Sequence, residues 1–451
     1  MSMVSFPQRP RLWLACTALG LWTVTNSVFA TVDKVVSQTA ELPNPLTLEY
    51  VLSLPLDQHP ELQLQQAKVS QLQSQQALQS SQDKTQLNLV GRLGWREYAK
   101  ETEDFHLAAI HASHRLYDFG QNSALTESLK AKQQALKVLN LESKKQLKLQ
   151  IMQAFFNVLL ADFQYRIDNE AMAVAYVGLD KAKDRLELQR ISDVDYLAME
   201  TDYEKVRVKR MRAEYNQLQT RLALANLMGL PDTRPDELKL PKLKPFKKRD
   251  IKALKLEALQ QQVMANNPPI QALKQQVQAA RFELESNQAE GKPTLTLDAW
   301  AGQLSSYPEI RDGHWKLGLL VDVPLYGGST DAKVSQTKAT IQALKAQIKL
   351  TEQALRDQVA DLYFQLKMLN AEKSQNQVFG DYADLYLDYS RALYENESAT
   401  DLGDAMVRLS QANYDQITWE FKQALLWSKL DLLMAKPILG QQINSSSEQV
   451  K

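Results

Sequence analysis

The 451-residue chain has one cysteine, Cys16, and it lies within the first thirty residues. A chain cut after residue 30 would have no disulfide framework and no thiolate chemistry. Net charge is also missing, since 53 basic residues balance 53 acidic ones. Nucleic-acid-binding proteins show a basic excess instead, so no nucleic-acid partner is expected. Beyond the N-terminus, no stretch approaches the ~18 consecutive apolar residues of a membrane-spanning helix. That excludes a helical membrane protein. If the mature chain enters a bilayer, it must do so as a closed barrel, the other structure that satisfies every backbone polar group in lipid. Proline is absent from Glu61 to Leu230 and from Leu325 to Lys436. An interior proline costs a helix about 3 kcal/mol, so these gaps suit very long helices. There is also no phosphate loop, no Ser-His-Asp arrangement in an α/β context and no Cys-His cluster. No enzyme, cofactor or metal site is expected.

The N-terminus reads as a signal peptide over residues 1–30. Arg9 and Arg11 precede an apolar stretch from Leu12 to Val24, and Val28-Phe29-Ala30 presents a signal-peptidase site, with cleavage after Ala30. The stretch is shorter than the ~20 residues of a spanning helix. A buried N-terminal helix is the alternative, and the basic–apolar–small order argues against it. Lipidation at Cys16 is rejected, because only Leu12 to Ala15 would precede it as an apolar region.

What the chain does contain is an internal duplication. His59-Pro60-Glu61-Leu62 returns as Asn267-Pro268-Pro269-Ile270, and Leu116-Tyr117-Asp118-Phe119-Gly120 as Leu325-Tyr326-Gly327-Gly328. Gln150-Ile151-Met152 and Phe155-Phe156 return as Gln358-Val359-Ala360 and Tyr363-Phe364, and Ser192-Asp193-Val194 as Thr400-Asp401-Leu402. All four recur in order at an offset of 208 or 209 positions. Such self-similarity divides the chain into a first structural repeat over 31–230, a linker over 231–250, a second repeat over 251–436 and a flexible tail over 437–451.

Each half reads as helix, two strands, long helix, turn, helix. The apolar series Leu147, Ile151, Ala154, Val158 and Ile270, Leu273, Val277, Ala280, Leu284 advance by threes and fours, the spacing of a coiled-coil seam. Pro60 and Pro268 suit first helical turns. Asn122 or Ser123, and Ser329 or Thr330, are the expected caps of the helices that follow. The helix expected over 121–190 has 70 residues, on the order of 100 Å at about 1.5 Å per residue. It is matched by two shorter helices, 193–229 and 59–84, so one continuous helix faces two stacked end to end. The linker then falls beside their junction.

Strands are expected at about 86–98 and 105–117 in the first repeat, and at about 294–303 and 314–326 in the second. Leu295, Leu297 and Ala299 alternate with Thr296, Asp298 and Trp300, and Leu87, Leu89 and Leu93 alternate with Asn88 and Arg92. Ten-residue strands with one apolar and one polar face suit an outer-membrane barrel. Arg92, Asp298, Lys316 and Asp322 would face its lumen. A soluble hairpin packed on the helices is the alternative. Four strands close no barrel, so a barrel requires several chains. The fold class is thus mainly α with a membrane β-barrel: a long α-helical coiled-coil barrel plus four strands per chain, with two internal repeats.

Leu116-Tyr117-Asp118-Phe119-Gly120 and Val323-Pro324-Leu325-Tyr326-Gly327-Gly328, set in this duplicated order, resemble the strand-to-helix junctions of the TolC family of outer-membrane factors. Arg115 departs from the family's proline at the first junction. The resemblance implies a homotrimer with a twelve-stranded barrel and a helical tunnel crossing the periplasm. It also implies a periplasmic adaptor (membrane fusion) protein and an inner-membrane transporter as partners, with outer-membrane lipids around the barrel. Function would be that of a passive exit duct in tripartite efflux or type I secretion. Asp193, Asp401 and Asp404 stand where the family places pore-entrance aspartates, and Glu397 replaces a frequent glycine. Asp401 and Asp404 would form two carboxylate rings that attract cations, although capping and the helix dipole alone also favour Asp there.

His106, His111 and His114 fall in one expected strand, where alternation points His111 and His114 to opposite faces, away from any shared metal. Lys144-Lys145 and Lys247-Lys248-Arg249 read as solvated faces. A non-pore periplasmic coiled-coil scaffold or adaptor is the rival function. It would carry lipoyl-like or small β-barrel modules and a single hairpin, and the sequence offers neither.

Overall fold

The proline-free stretches set the architecture. In a computed structural model, which describes residues 42–98, 101–104, 107–306, 311–325, 328–396 and 402–437, the first region contains α1 (Leu48–Ser53), a 3-10 turn (Leu56–Gln58) and α2 (Pro60–Ser81). The strands β1 (Gln86–Arg92), β2 (Trp95–Tyr98), β3 (Glu101–Asp104) and β4 (Leu107–Tyr117) come next, followed by α3 (Gln121–Glu187) and α4 (Asp193–Leu227). Then come α5 (Lys244–Lys247), α6 (Leu256–Asn266), α7 (Pro268–Ala289), β5 (Thr294–Ser306), β6 (Arg311–Asp322), α8 (Gly328–Glu395) and α9 (Leu402–Leu433). The signal segment 1–30 and the tail from 438 lie outside the described residues.

α3 and α8 have 67 and 68 residues, while α2 and α7 have 22 each. At about 1.5 Å per residue, each long helix runs ~100 Å. Their partners change along their length. The start of α3 meets α2 and α7: Asn140 bonds Gln66 at 3.1 Å, and Lys132 Nζ lies 2.8 Å from Glu283. Further on it meets α4 and α9, where Arg210 donates to the Tyr165 hydroxyl at 2.6 Å and Ser410 to Glu170 at 2.7 Å. α8 behaves alike, bonding α7 through Asn287–Thr337 (2.9 Å) and α9 through Trp419 Nε1 and the Leu369 carbonyl (2.8 Å).

The core sits where these partners change. Leu147, Ile151, Met152, Phe155 and Phe156 of α3 join Leu366 and Leu369 of α8, Phe421 and Leu430 of α9 and Phe246 of α5, all buried. Phe156 and Phe421 stack at 4.2 Å between ring centroids. The 231–250 region is held against this core rather than left loose. Arg221 grips Asp162 with two bonds, 2.7 and 3.0 Å, and donates to the Pro235 and Asp236 carbonyls. Leu46 pairs in parallel with Leu238. α1 and α6 are elements the sequence reading did not separate.

Helix ends also differ from expectation. The α3 start is held by Asp118, whose carboxylate accepts the Gly120 and Asn122 amides at 3.0 and 2.9 Å. Asn122 is instead buried inside the helix and accepts from Gln79. Ser329 and Thr330 lie inside α8, which starts at Gly328, so neither caps it. α3 stops at Glu187 because Gln189 turns left-handed (φ 56) and Arg190 N–H reaches back to the Arg185 carbonyl, closing the helix. Gly229 (φ 74) ends α4 in the same way, through Leu230 and the Ala225 carbonyl.

Candidate functional site

The strands form one four-stranded sheet in the order β1-β4-β5-β6, antiparallel throughout, with β2 and β3 in a separate two-stranded ladder. The strand expected at 86–98 is therefore split after Arg92 into β1 and β2, while the one expected at 105–117 is the single strand β4 from Leu107 to Tyr117. The strand expected to reach 326 ends at Asp322, because Pro324 has no N–H for a ladder. β1 and β6 are the outer strands, and each presents one unpaired edge in the single chain.

Register assembles the two faces. Leu89 lies opposite Ile110, Ile110 opposite Ala301, and Ala301 opposite Trp315. One row along, Leu87, Ala112, Ala299 and Leu317 stand side by side. Strand alternation extends this apolar face through Leu297 and Leu319 to Leu295 and Val321. Leu87 is 70% exposed, Leu89 83%, Leu317 62% and Leu319 64%. Burying one such leucine is worth roughly 1.5–3 kcal/mol, so a single chain in water forgoes that gain repeatedly. A soluble hairpin packed on helices would have buried this face.

The opposite face carries Arg92, Asp298, Lys316 and Asp322 together. Trp300 lies opposite Lys316 on one side and His111 on the other, and Asp298 lies opposite Ser113 and Gly318. His111 and Trp300 stack at 4.1 Å. The Asp298 carboxylate sits 2.7 Å from His111 Nε2 and accepts from Trp300 Nε1 at 2.6 Å. Nothing in strand periodicity pairs His111 with Asp298; that contact depends on β4 adding to β5 across the two halves. Gly302 permits the approach of those strands: at φ 145, a Cβ there would fall 2.6 Å from the Ala109 Cα. His114 belongs to the apolar face and contacts the Thr85 hydroxyl at 3.3 Å. His106 lies outside the described residues, among which no group of three metal-ligating side chains occurs.

At the far ends of the long helices are the two turns. Ser192 caps α4 in a reciprocal box with Asp195, bonding at 3.1 and 3.3 Å. Asp193 opens that helix, exposed and outside the box. Asp401 and Glu397 lie outside the described residues. Asp404 is in the first turn of α9, where Arg408 Nε donates to it at 2.7 Å. That bond, and the carboxylate charge behind it, raise the Arg408 pKa beyond its ordinary value. The guanidinium also lies over the Tyr386 ring, 5.6 Å from its centre. Asp404 is thus partnered within its own chain. The Asp404–Arg408 spacing of four residues is visible in sequence; the Tyr386 contact across two helices is not.

Among the described residues, no helix is long and apolar enough to cross a membrane, while the sheet gathers exposed leucines onto one face. Residues 259–435 match the family model described as outer membrane efflux protein. Among curated relatives, the chain is 28% identical over 117 residues to outer membrane efflux protein BepC of Brucella suis, covering 25% of this chain and 26% of that one. It is 24% identical over 311 residues to alkaline protease secretion protein AprF of Pseudomonas aeruginosa, covering 61% and 62%. The matches thus span about a quarter and three-fifths of those relatives' lengths. Among solved structures, CusC, described in terms of transmembrane channel formation, superposes with a TM-score of 0.70 at 18% identity, over 86% of this chain and 92% of that one. The fold is accordingly that of the TolC-like channels.

Proposed function

We propose that this chain, whose residues 259–435 match the outer membrane efflux protein model, resides in the outer membrane, extends into the periplasm and forms a passive exit duct made of three copies. The observation that carries this reading is the sheet with two open edges and one continuous exposed apolar face. Lipid tolerates no unpaired strand edge. Because β1 and β6 run in opposite directions, β6 of one copy can pair with β1 of the next without breaking the antiparallel alternation. Three sheets of four strands then close a twelve-stranded barrel. Its apolar face meets lipid, while Arg92, Asp298, Lys316 and Asp322 line the lumen.

The two halves, with α2–α4 and α7–α9 in matching order, read as copies of one unit, and their long helices continue the barrel into a periplasmic tunnel. Asp193, Asp401 and Asp404 surround its entrance. A periplasmic adaptor and an inner-membrane transporter would dock there and supply energy. Cargo choice falls to that pump, since a wide aqueous tunnel selects poorly. The test is membrane fractionation followed by planar-bilayer recording of the purified protein. A trimer in the outer-membrane fraction that forms stable conducting channels supports the duct. A soluble monomer without conductance ends it.

A further inference from the structure

The charge balance of the chain conceals one strongly asymmetric segment. Lys239 to Lys255 holds seven lysines and Arg249 against a single acid, Asp250. Arg249 is committed internally, 2.8 Å from the buried Asp431 carboxylate and packed over the Phe246 and Trp427 rings. Lys247 reaches Glu420 at 2.5 Å. The remaining six, Lys239, Lys242, Lys244, Lys248, Lys252 and Lys255, are all exposed, and none has a side-chain partner among the described residues. Asp250 turns its carboxylate to the Lys252 backbone amide, and Asp236 and Glu237 are the nearest acids along the chain before Lys239.

The backbone beneath these lysines is fixed. Leu243, Phe246 and Ile251 are buried in the main core, and Arg221 and Leu46 hold the preceding residues. Six charges on a rigid support lose less freedom on binding than six on a loose tail would. The segment also lies far from the membrane. Its buried residues belong to the same core cluster as Leu147 to Phe156 of α3, some 26–35 residues past the start of that helix at Gln121, or roughly 40–50 Å along its axis. That distance exceeds the ~10 Å screening length several-fold, so lipid headgroups do not account for the array.

We infer that this stripe binds a carboxylate-bearing polymer of the periplasm, the chemistry of the peptide stems of the cell wall, and so fixes the duct where it crosses that layer. The inference rests on the outer-membrane duct reading. Protein–protein interfaces are depleted in lysine and centre on aromatic, Met and Arg residues. Here the large apolar side chains are turned into the core, with Leu240 the exposed exception. Lysine is a point charge on a flexible stem, without the planar fork that reads one carboxylate geometry. A row of such charges suits a polyanion whose carboxylates lie at irregular positions.

The test uses the purified full-length trimer in detergent and isolated cell-wall sacculi. Wild type is expected to co-sediment with sacculi at low salt and to release as salt rises, as counterion-driven binding does. Amidating the sacculus carboxylates should abolish binding. The combined variant Lys242→Gln, Lys244→Gln, Lys248→Gln and Lys252→Gln should bind at least about tenfold more weakly while keeping trimer stability and conductance. Equal binding by the variant, or by amidated sacculi, overturns the inference. So does binding to a soluble acidic protein but not to sacculi. A variant that no longer forms trimers would place these lysines between subunits and overturn it too. Wild-type channels that conduct but ignore sacculi would sink this inference alone. Loss of trimer and conductance in wild type would sink the duct reading.

Discussion

His111 and Asp298 are 187 positions apart in the chain and 2.7 Å apart in the sheet. The contact joins the two halves of the sequence on the face that also carries Lys316, and the same carboxylate accepts from Trp300. Asp298→Asn removes the charge but keeps an oxygen for Trp300. It should therefore reduce cation preference, measured as reversal potential across planar bilayers, with little change in melting. Asp298→Ala also strands the indole donor and should cost about 1–3 kcal/mol. Unchanged selectivity in both variants would remove Asp298 from the lumen.

Asp404 is balanced by Arg408, so its charge is partly masked from a passing ion. Arg408→Ala should unmask it and strengthen block by divalent cations several-fold. Neutralising Asp401 and Asp404 together should weaken block below wild type. Block that ignores both changes would leave the entrance without carboxylate rings.

The α9 start packs tightly on α3. A Cβ on Gly403 would fall 2.6 Å from Val174 Cγ2 and 3.2 Å from Cγ1. Gly403→Ala should destabilise the protein by about 1–3 kcal/mol, and Val174→Ala in the same chain should restore most of it. Melting temperatures of the single and double variants check this, and additive losses would count against it.

Glu142 on α3 has a buried carboxylate oxygen with no hydrogen-bond partner. Burial raises its pKa, and Lys145 pulls the other way. The folded state therefore holds this proton more tightly than the unfolded chain does. The resulting stabilisation is full below the ordinary carboxyl pKa and lost as pH rises through the folded value. Glu142→Gln should raise the melting temperature near neutral pH and leave it unchanged at about pH 4. A gain that persists in acid would assign the effect to something other than ionisation.

The long helices were legible because their signals are dense. Dozens of positions without proline, with apolar residues at threes and fours, converge on α3 and α8, and α7 starts at Pro268, which fixes its first turn. Short elements lacked such redundancy: α1 and α6 bury only a few side chains each, and their existence depends on the core they touch. The Asn122 and Ser123 capping expectation failed because the helix starts earlier, at Gln121, where Asp118 accepts the Gly120 and Asn122 amides. At the candidate site, the strand register puts Asp298 and Lys316 on one face, as their alternation in sequence implies, since a strand's period is intrinsic. The His111–Asp298 and Arg408–Tyr386 contacts were illegible, since each joins elements whose neighbourhood is set by the tertiary fold.

The central claim is that β1 of one copy meets β6 of another. Within one chain these strands are separated by β4 and β5, three strand spacings or roughly 14 Å, far beyond the ~4.5 Å Cβ separation a disulfide tolerates. Since Cys16 is the chain's one cysteine and falls in the expected signal segment, introduced cysteines can be read without background. Asn88→Cys should be combined in turn with Lys316→Cys, Gly318→Cys and Leu320→Cys, then oxidised in outer membranes and separated under denaturing conditions. At least one pair is expected to give covalent dimers and trimers that collapse to monomer on reduction, while each single variant gives none of the trimer. If every pair stays monomeric in the membrane fraction, the strands do not meet between copies and the closed barrel is contradicted.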